Sequence, residues 1–563
     1  MKTIIIRKSD TGRARRWQRV GNRSLLCLLA PAIPLCADAA LLELDNPDWE
    51  VRFDNTVRYN VAWRTEKQNK DFLVSPGFDD TENKFDRGDA VTNRVDLLNE
   101  LDVAYQGLYG FRVSTAGWYD QAYQGSAKPN DDLIASGNYI NNHYNHYATR
   151  YNSGPSGEFL DAFVFANVQL GDVGVGMKAG KHNVYWGESL FTLGNSIAYS
   201  QGPVDTIKSA ASPGTEAKEL FLPINQLSAS ISLTNELTVG LQYLLDWKPY
   251  RLVPGGTYYA SSDGSRSDIA SPPALLNGPD VEPDHKYGDY GVNMRWSPSG
   301  FGGTMGLYYR KFDEKLPWSF TEIQGRTPTA VRLAYARGTE LWGLSLSQNI
   351  AQMSVAGELS YRKNTALVSR SGYTVRTTAA GIEPDYDAVE GARGNTWHAL
   401  INSVYLLPRT ALWDGGTLQG ELTYTRLDSI TDDPQNRFNK VGHGCTTAFT
   451  DNCATKDAWG MQMRFTPEWP QALPGWDLSM PMNLAYGLEG NSPALGGTNE
   501  GAYTWTVGIG GVYHSVHSFV LSYIDSYARY DTRPDGTVTT DYTAGPAVQN
   551  DHGRVSLTYK TTF

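Results

Sequence analysis

From Trp49 the chain sets apolar side chains at every second position. Trp49, Val51, Phe53, Val57, Tyr59, Val61 and Trp63 are separated by Glu50, Arg52, Asp54, Thr56, Arg58 and Asn60. A period of two belongs to a strand with one apolar face, and aromatics at both ends suit a segment crossing a lipid layer. The pattern recurs over Val95 to Tyr105, Phe111 to Tyr119, Leu160 to Leu170, Val173 to Lys181, Leu227 to Leu233, Leu237 to Trp247 and Tyr290 to Trp296. It continues over Met305 to Lys311, Trp342 to Gln348, Met353 to Tyr361, Thr396 to Leu406, Leu418 to Tyr424 and Trp459 to Phe465. Leu478 to Tyr486, Tyr503 to Gly511, Phe519 to Tyr527 and Val555 to Phe563 complete the series. A membrane barrel strand needs about 9–11 residues, so the series predicts about 18 strands, an even number as single-chain bacterial barrels use.

The links between these segments alternate in length. Gln106–Gly110, Gly171-Asp172, Thr234–Glu236, Ser297–Gly302 and Ile350–Gln352 are short, whereas 120–158, 187–226, 248–288, 312–340, 363–395, 428–457 and 528–553 are long and rich in Gly, Asp, Asn, Ser and Pro. The expected fold is all-β: a transmembrane antiparallel β-barrel with short periplasmic turns, long outer loops and a third loop folded inward. A soluble propeller or solenoid would also give many short strands, but no fixed-period repeat is present.

The ends of the chain agree with export to an outer membrane. Residues 1–39 carry a basic start, an apolar stretch from Leu25 to Leu35 and Ala37-Asp38-Ala39, the pattern of a signal peptide cleaved after Ala39, with 40–563 as the barrel. Beyond residue 39 no apolar run of about 18 residues is present, so a helical span is excluded and a mean hydropathy of -0.41 is explained by strands. At the other end Val555, Leu557, Tyr559, Thr561 and Phe563 alternate with polar residues, and a final strand ending in Phe563, with Tyr559 before it, resembles the signal read by the barrel-assembly machinery.

Charge and cysteine content narrow the partners. The signal holds eight of the 49 basic and two of the 60 acidic residues, which leaves the mature chain at a formal charge of -17 and speaks against nucleic acid. Cys445 and Cys453, separated by seven residues in a Gly/Thr/Asn/Asp-rich stretch, are expected to form a loop disulfide worth on the order of 2 kcal/mol. His443 is near, but four metal ligands are not evident, and neither a metal nor a cofactor is expected.

The third long connection is unusually apolar and helix-compatible for a solvated loop. It runs through Trp186-Gly187-Glu188-Ser189, Pro203-Val204-Asp205 and Pro213-Gly214-Thr215-Glu216-Ala217-Lys218-Glu219. Folded inward it would form the constriction of a pore, with Glu188, Lys208, Glu216, Lys218 and Glu219 on or beside the path and Asp205 near it. The alternative is a loop packed on the rim, with Lys218 and Glu219 as an ion pair of a short helix. Arg52, Asp54, Arg58 and Arg64 on the first strand, and Asp96, Glu100 and Asp102 on the next, are expected to form salt-bridge ladders along the wall. Trp118, Phe163 and Phe165 fall at inward positions and suit apolar or aromatic solutes.

Nucleophile elbows, metal-ligand pairs and carboxylate dyads are not evident above chance, so catalysis is not expected. The chain resembles the proteobacterial outer-membrane proteins of the domain of unknown function 1302 family. The landmarks are Asn83-Lys84-Phe85-Asp86-Arg87-Gly88-Asp89, Glu100-Leu101-Asp102, Trp118-Tyr119-Asp120, Gly180-Lys181-His182-Asn183-Val184-Tyr185-Trp186-Gly187-Glu188-Ser189 and Trp247-Lys248-Pro249. His182-Asn183-Val184-Tyr185 departs from the family's Gln followed by aliphatic residues. The resemblance implies a barrel in contact with outer-membrane lipid, a channel or porin-like transporter for small, often poorly soluble organic solutes, and association with exporters of the resistance-nodulation-division type. A surface-binding protein or a non-conducting partner of an export system is the alternative, and an outer-membrane enzyme ranks last.

Overall fold

The computed structural model describes residues 40–42, 46–130, 137–213, 215, 217–271, 275–370, 373–377, 389–438, 440, 453–539 and 544–563. The signal segment and Cys445 lie outside the described residues.

The wall strands are β1 (Trp49–Arg64), β2 (Ala90–Tyr105), β3 (Tyr109–Asp120), β4 (Ser156–Leu170), β5 (Val173–His182), β6 (Ile224–Ser232), β7 (Leu237–Leu244), β8 (Tyr290–Trp296) and β9 (Gly303–Phe312). They continue as β10 (Thr339–Ile350), β11 (Met353–Ala366), β12 (Arg393–Leu406), β13 (Gly415–Asp432), β14 (Asp457–Leu473), β15 (Trp476–Ser479 and Met482–Glu489), β16 (Tyr503–Tyr513), β17 (His517–Tyr527) and β18 (Arg554–Thr562). Each pairs antiparallel with its neighbours in sequence, and β18 pairs with β1 from Thr56↔Thr562 to Arg64↔Arg554, which closes an 18-strand barrel. Ala40–Leu42 adds a short extra strand to β1.

All 18 expected strands are present. Leu478 to Tyr486, expected as one strand, is broken at Met480-Pro481, because Pro481 has no N–H for the ladder. The Met480 N–H still donates to the Pro467 carbonyl at 3.0 Å, and Gly508 N–H to the Pro481 carbonyl at 2.9 Å, so the wall stays continuous.

Side-chain parity separates two environments. Outward positions carry exposed Val95, Leu97, Leu241, Leu307, Leu344, Leu359, Ile401, Ile509 and Leu521. Rings stack from strand to strand toward the long-loop end: Tyr309 and Trp342 at 5.4 Å, Tyr361 and Trp397 at 4.7 Å, Tyr424 and Trp459 at 4.4 Å, Tyr503 and Tyr527 at 5.4 Å. At the opposite end Trp476 contacts Tyr513 at 5.0 Å and Phe519 contacts Tyr559 at 4.9 Å. On β17, Phe519 and Tyr527 are eight residues apart, about 26 Å along the strand, or roughly 20 Å in height at a 40° tilt. That spacing suits the apolar layer of an outer membrane.

At the short-turn end of the wall the Asn55 N–H of β1 donates to the Phe563 carbonyl at 2.8 Å and the Phe563 N–H to the Asn55 carbonyl at 2.9 Å. Tyr559 receives a further contact from His517 Nδ1 on its hydroxyl at 3.0 Å.

The long connections are more ordered than their composition suggests. Ile269–Ser271, Leu275–Asn277, Pro317–Gln324, Thr327–Tyr335 and Tyr373–Thr377 form a separate five-stranded sheet with two parallel pairings. Its core holds Val281, Trp318, Phe320, Ala334, Val375 and Val389. The 312–340 link, expected as a long outer loop, contains a hairpin turning at Gly325-Arg326. Cys453 is buried and disulfide-bonded.

Candidate functional site: a strap across the lumen

Eighteen strands about 4.8 Å apart, tilted by roughly 40°, give a backbone radius near 18 Å, so an empty barrel would be a wide hole. Residues 183–223, between β5 and β6, obstruct it. Their contacts run from β5 to β9–β13 on the far side and back to β1–β3, so the third long connection crosses the lumen.

An irregular segment inside a barrel must satisfy its backbone polar groups with side chains. The wall supplies them in two sets. Glu358 on β11 accepts the N–H groups of Glu188, Ser189 (2.9 Å) and Ile197 (2.7 Å). Glu421 on β13 accepts those of Leu190 (2.7 Å), Phe191 (3.3 Å) and Thr192 (2.7 Å), and the Ser189 hydroxyl. The segment's carbonyls go to cations and amides. Arg310 on β9 donates to Ile197 and Tyr199 at 2.8 Å, Arg362 on β11 to Ser196 at 2.9 Å, and Asn402 on β12 to Glu188 at 2.7 Å. All five wall residues are buried.

This accounts for the Trp-Gly-Glu-Ser landmark. Gly187 has φ +104°, and a Cβ there would meet Glu358 Oε1 at 2.3 Å. Only glycine both adopts that backbone and lets the main chain reach the carboxylate.

The return limb is tied to the first strands. Asp205 accepts the Lys208 N–H at 3.0 Å as cap of the helix Thr206–Ala211, and pairs with Arg251 at 3.0 Å. Ser212 donates to Asp96 at 2.7 Å, Arg58 pairs with Glu219 at 2.5 Å, and Lys218 pairs with Glu100 at 2.6 Å.

The candidate residues therefore separate into two groups. Asp205, Lys208 and Glu219 are each no more than 2% exposed and brace the segment instead of bordering a path. Lys208 sits over the Trp118 ring at 5.0 Å, which buries Trp118 as well. Lys218 and Glu219 do not pair with each other; each finds a wall partner, because the helix Ala217–Leu220 lies against β1 and β2. Lys218, Phe163 and Phe165 line open space. Glu188 lies 3.6 Å from Arg295 on β8 and is largely covered. Glu216 lies outside the described residues.

The expected wall ladders form only in part. Arg112 on β3 binds Glu100, Asp102 (3.1 Å) and Asp161 (3.2 Å), and Arg52 pairs with Asp54 at 2.7 Å. Arg58 and Arg64 pair instead with connections, Arg64 with Glu82 and Asp551.

Beside the strap lie two adjoining cavities of about 820 and 710 Å³. Both are lined by Arg112, Phe163, Lys178, Asn183 and Trp186; the smaller adds Tyr185, Phe191 and Phe221 from the strap, the larger Phe165 and Arg295 from the wall. Lys178 Nζ stands 5.0 Å over the Phe163 ring and has no ion-pair partner among the described residues. The space thus offers aromatic faces with an available ammonium beside them. Glu358, Glu421, Arg310 and Arg362 were not singled out from the sequence; inward parity within an alternating strand was their only signal.

The chain superposes at low similarity on several solved structures. It covers 91% of its length and 98% of the Pseudomonas aeruginosa OccK1 (OpdK) chain at 8% identity and a TM-score of 0.39. For Acinetobacter baumannii OccAB1 the values are 91% and 96%, 10% identity and 0.42, and for Pseudomonas aeruginosa OccD3 (OpdP) 93% and 93%, 10% and 0.40. No curated protein matches it in sequence. The family model described as protein of unknown function (DUF1302) matches residues 22–563, nearly the whole chain, and the protein belongs to the DUF1302 family.

Proposed function

We propose that the protein is an outer-membrane channel for small organic solutes, with residues 183–223 as its constriction. The observation that carries this reading is the strap itself: a segment drawn through the lumen and held by buried wall charges is an arrangement for narrowing a passage. The apolar outer band between two sets of rings supports the location, and residues 1–39 and Phe563 fit export and assembly. The cavities beside the strap, with Phe163, Trp186, Phe191 and Phe221 near Lys178, favour solutes with an apolar or aromatic body over bare ions.

Reconstitution into planar bilayers and into liposomes tests it. Discrete conductance steps are expected, together with liposome swelling in small aromatic solutes that exceeds swelling in sugars of equal size. A correctly assembled, heat-modifiable barrel that neither conducts nor admits these solutes would overturn the reading in favour of a surface-binding role.

A further inference from the structure

A second cluster of buried groups lies at the long-loop end, away from the strap. Glu82 is on the helix Asp79–Asn83, Asp551 and His552 precede β18, and Arg64 ends β1. Arg64 Nη2 donates to Glu82 Oε1 and Asp551 Oδ2, and the Asn69 N–H donates to the same two oxygens at 3.2 and 2.8 Å. Asp551, 9% exposed, keeps Oδ1 buried without a hydrogen-bond partner. His552, 1% exposed, stacks on Tyr258 at 4.3 Å, and its Nδ1 is 2.7 Å from the Tyr258 carbonyl. A carbonyl only accepts, so Nδ1 carries the proton. In the neutral ring Nε2 then directs a lone pair at Glu82 Oε2, 3.1 Å away. Two buried acceptors at that separation require a positive group between them.

We propose that Glu82, Asp551 and His552 bind a divalent transition-metal ion of the zinc class. Ligand atoms of the three lie within 4.8 Å of one another. Metal bonds of about 2.0–2.1 Å set adjacent ligand atoms about 2.9 Å apart in octahedral and about 3.3 Å apart in tetrahedral geometry. The observed separation of Nε2 and Oε2, 3.1 Å, falls between them. An imidazole whose second nitrogen donates to a backbone carbonyl, and carboxylates whose other oxygens are held by Arg64 and Asn69, form the outer support typical of metal ligands. One nitrogen and two carboxylates favour zinc, manganese or iron over magnesium or calcium. The ion would clip the first and last long connections together, and through Tyr258 the fourth.

The test reads metal content without reference to transport, so its failure leaves the channel reading intact. The full chain, purified in detergent, is stripped with chelator and dialysed against Zn2+ alone, and bound metal is measured by mass spectrometry. Wild type should retain one equivalent more than His552→Gln and Asp551→Asn, compared at equal heat-modifiable barrel yield. With Co2+ it should show ligand-field bands that both variants lack. Equal metal content in wild type and in either folded variant, or no retention by wild type, would overturn the proposal and leave a proton between His552 and Glu82.

Discussion

Glu421→Ala tests the strap most directly. Its carboxylate accepts three backbone N–H groups, from Leu190, Phe191 and Thr192, in a site where the side chain is 3% exposed. Removing it leaves three buried donors unpaired, at about 1–3 kcal/mol each. Water entering from the lumen would re-solvate some of them, so the low end of the sum, about 3 kcal/mol, is appropriate. At 1.4 kcal/mol per decade, that moves the equilibrium between held and released strap by roughly 100-fold. The wall should be unaffected, because Glu421 pairs along the ladder through its backbone, opposite Asn402 and Gln462. Single-channel recording should show higher conductance and added open-channel noise from residues 187–199 moving, with unchanged heat modifiability. Conductance and noise identical to wild type, in a variant of equal barrel yield, would refute the argument that wall carboxylates hold the constriction.

Other outcomes follow from the same geometry. Gly187→Ala should release the Glu358 contact, through both the Cβ clash and the positive φ, and raise conductance as Glu421→Ala does. Lys218→Glu should shift the reversal potential toward cations, since this side chain borders open space, whereas Lys208→Glu, placing a third negative charge near buried Asp96 and Asp205, should lower barrel yield instead. Lys178→Glu should reduce swelling in anionic aromatic solutes more than in neutral ones, and equal reduction would discount its ammonium. Burial, then neighbouring Asp80, pushes the Asp79 carboxyl up to about 7, and burial drives Asp263 well up too. The folded pKa is raised, so the stability contributed is fully present in acid and is lost as pH rises through about 7. Proteolysis of the first connection should therefore quicken between pH 5 and 8, and Asp263→Asn should flatten that dependence.

The wall was legible because one physical rule, apolar toward lipid and anything inward, repeats at period two in every strand. The rule fails at the long-loop ends of two strands: Ala90–Arg94 extends β2 with polar residues on both faces, and Arg393–Asn395 extends β12 with no apolar residue on either. It also fails in the five-stranded loop sheet, whose hairpin at Gly325-Arg326 carries a turn signal but sits among loop-like residues. The strap announced itself by its apolar content. Its anchors did not, since whether an inward carboxylate meets lumen water or a main-chain N–H depends on what is drawn opposite it, and Glu358 lies some 170 residues from its partners. Glu82 and His552, 470 residues apart, likewise carry no spacing signal.

The grip of the wall on the strap has an evolutionary consequence. Glu358, Glu421, Arg310 and Arg362 hold N–H and C=O groups, which every amino acid presents, and apart from Gly187 and the Ser189 hydroxyl they ask little of side-chain identity along residues 188–193, whereas 195–199 are buried. The side chains that face the cavities from this stretch can therefore be exchanged by point mutation without casting off the moorings. A lineage built on this barrel can recast the exposed face of its strap while inheriting the same fastening.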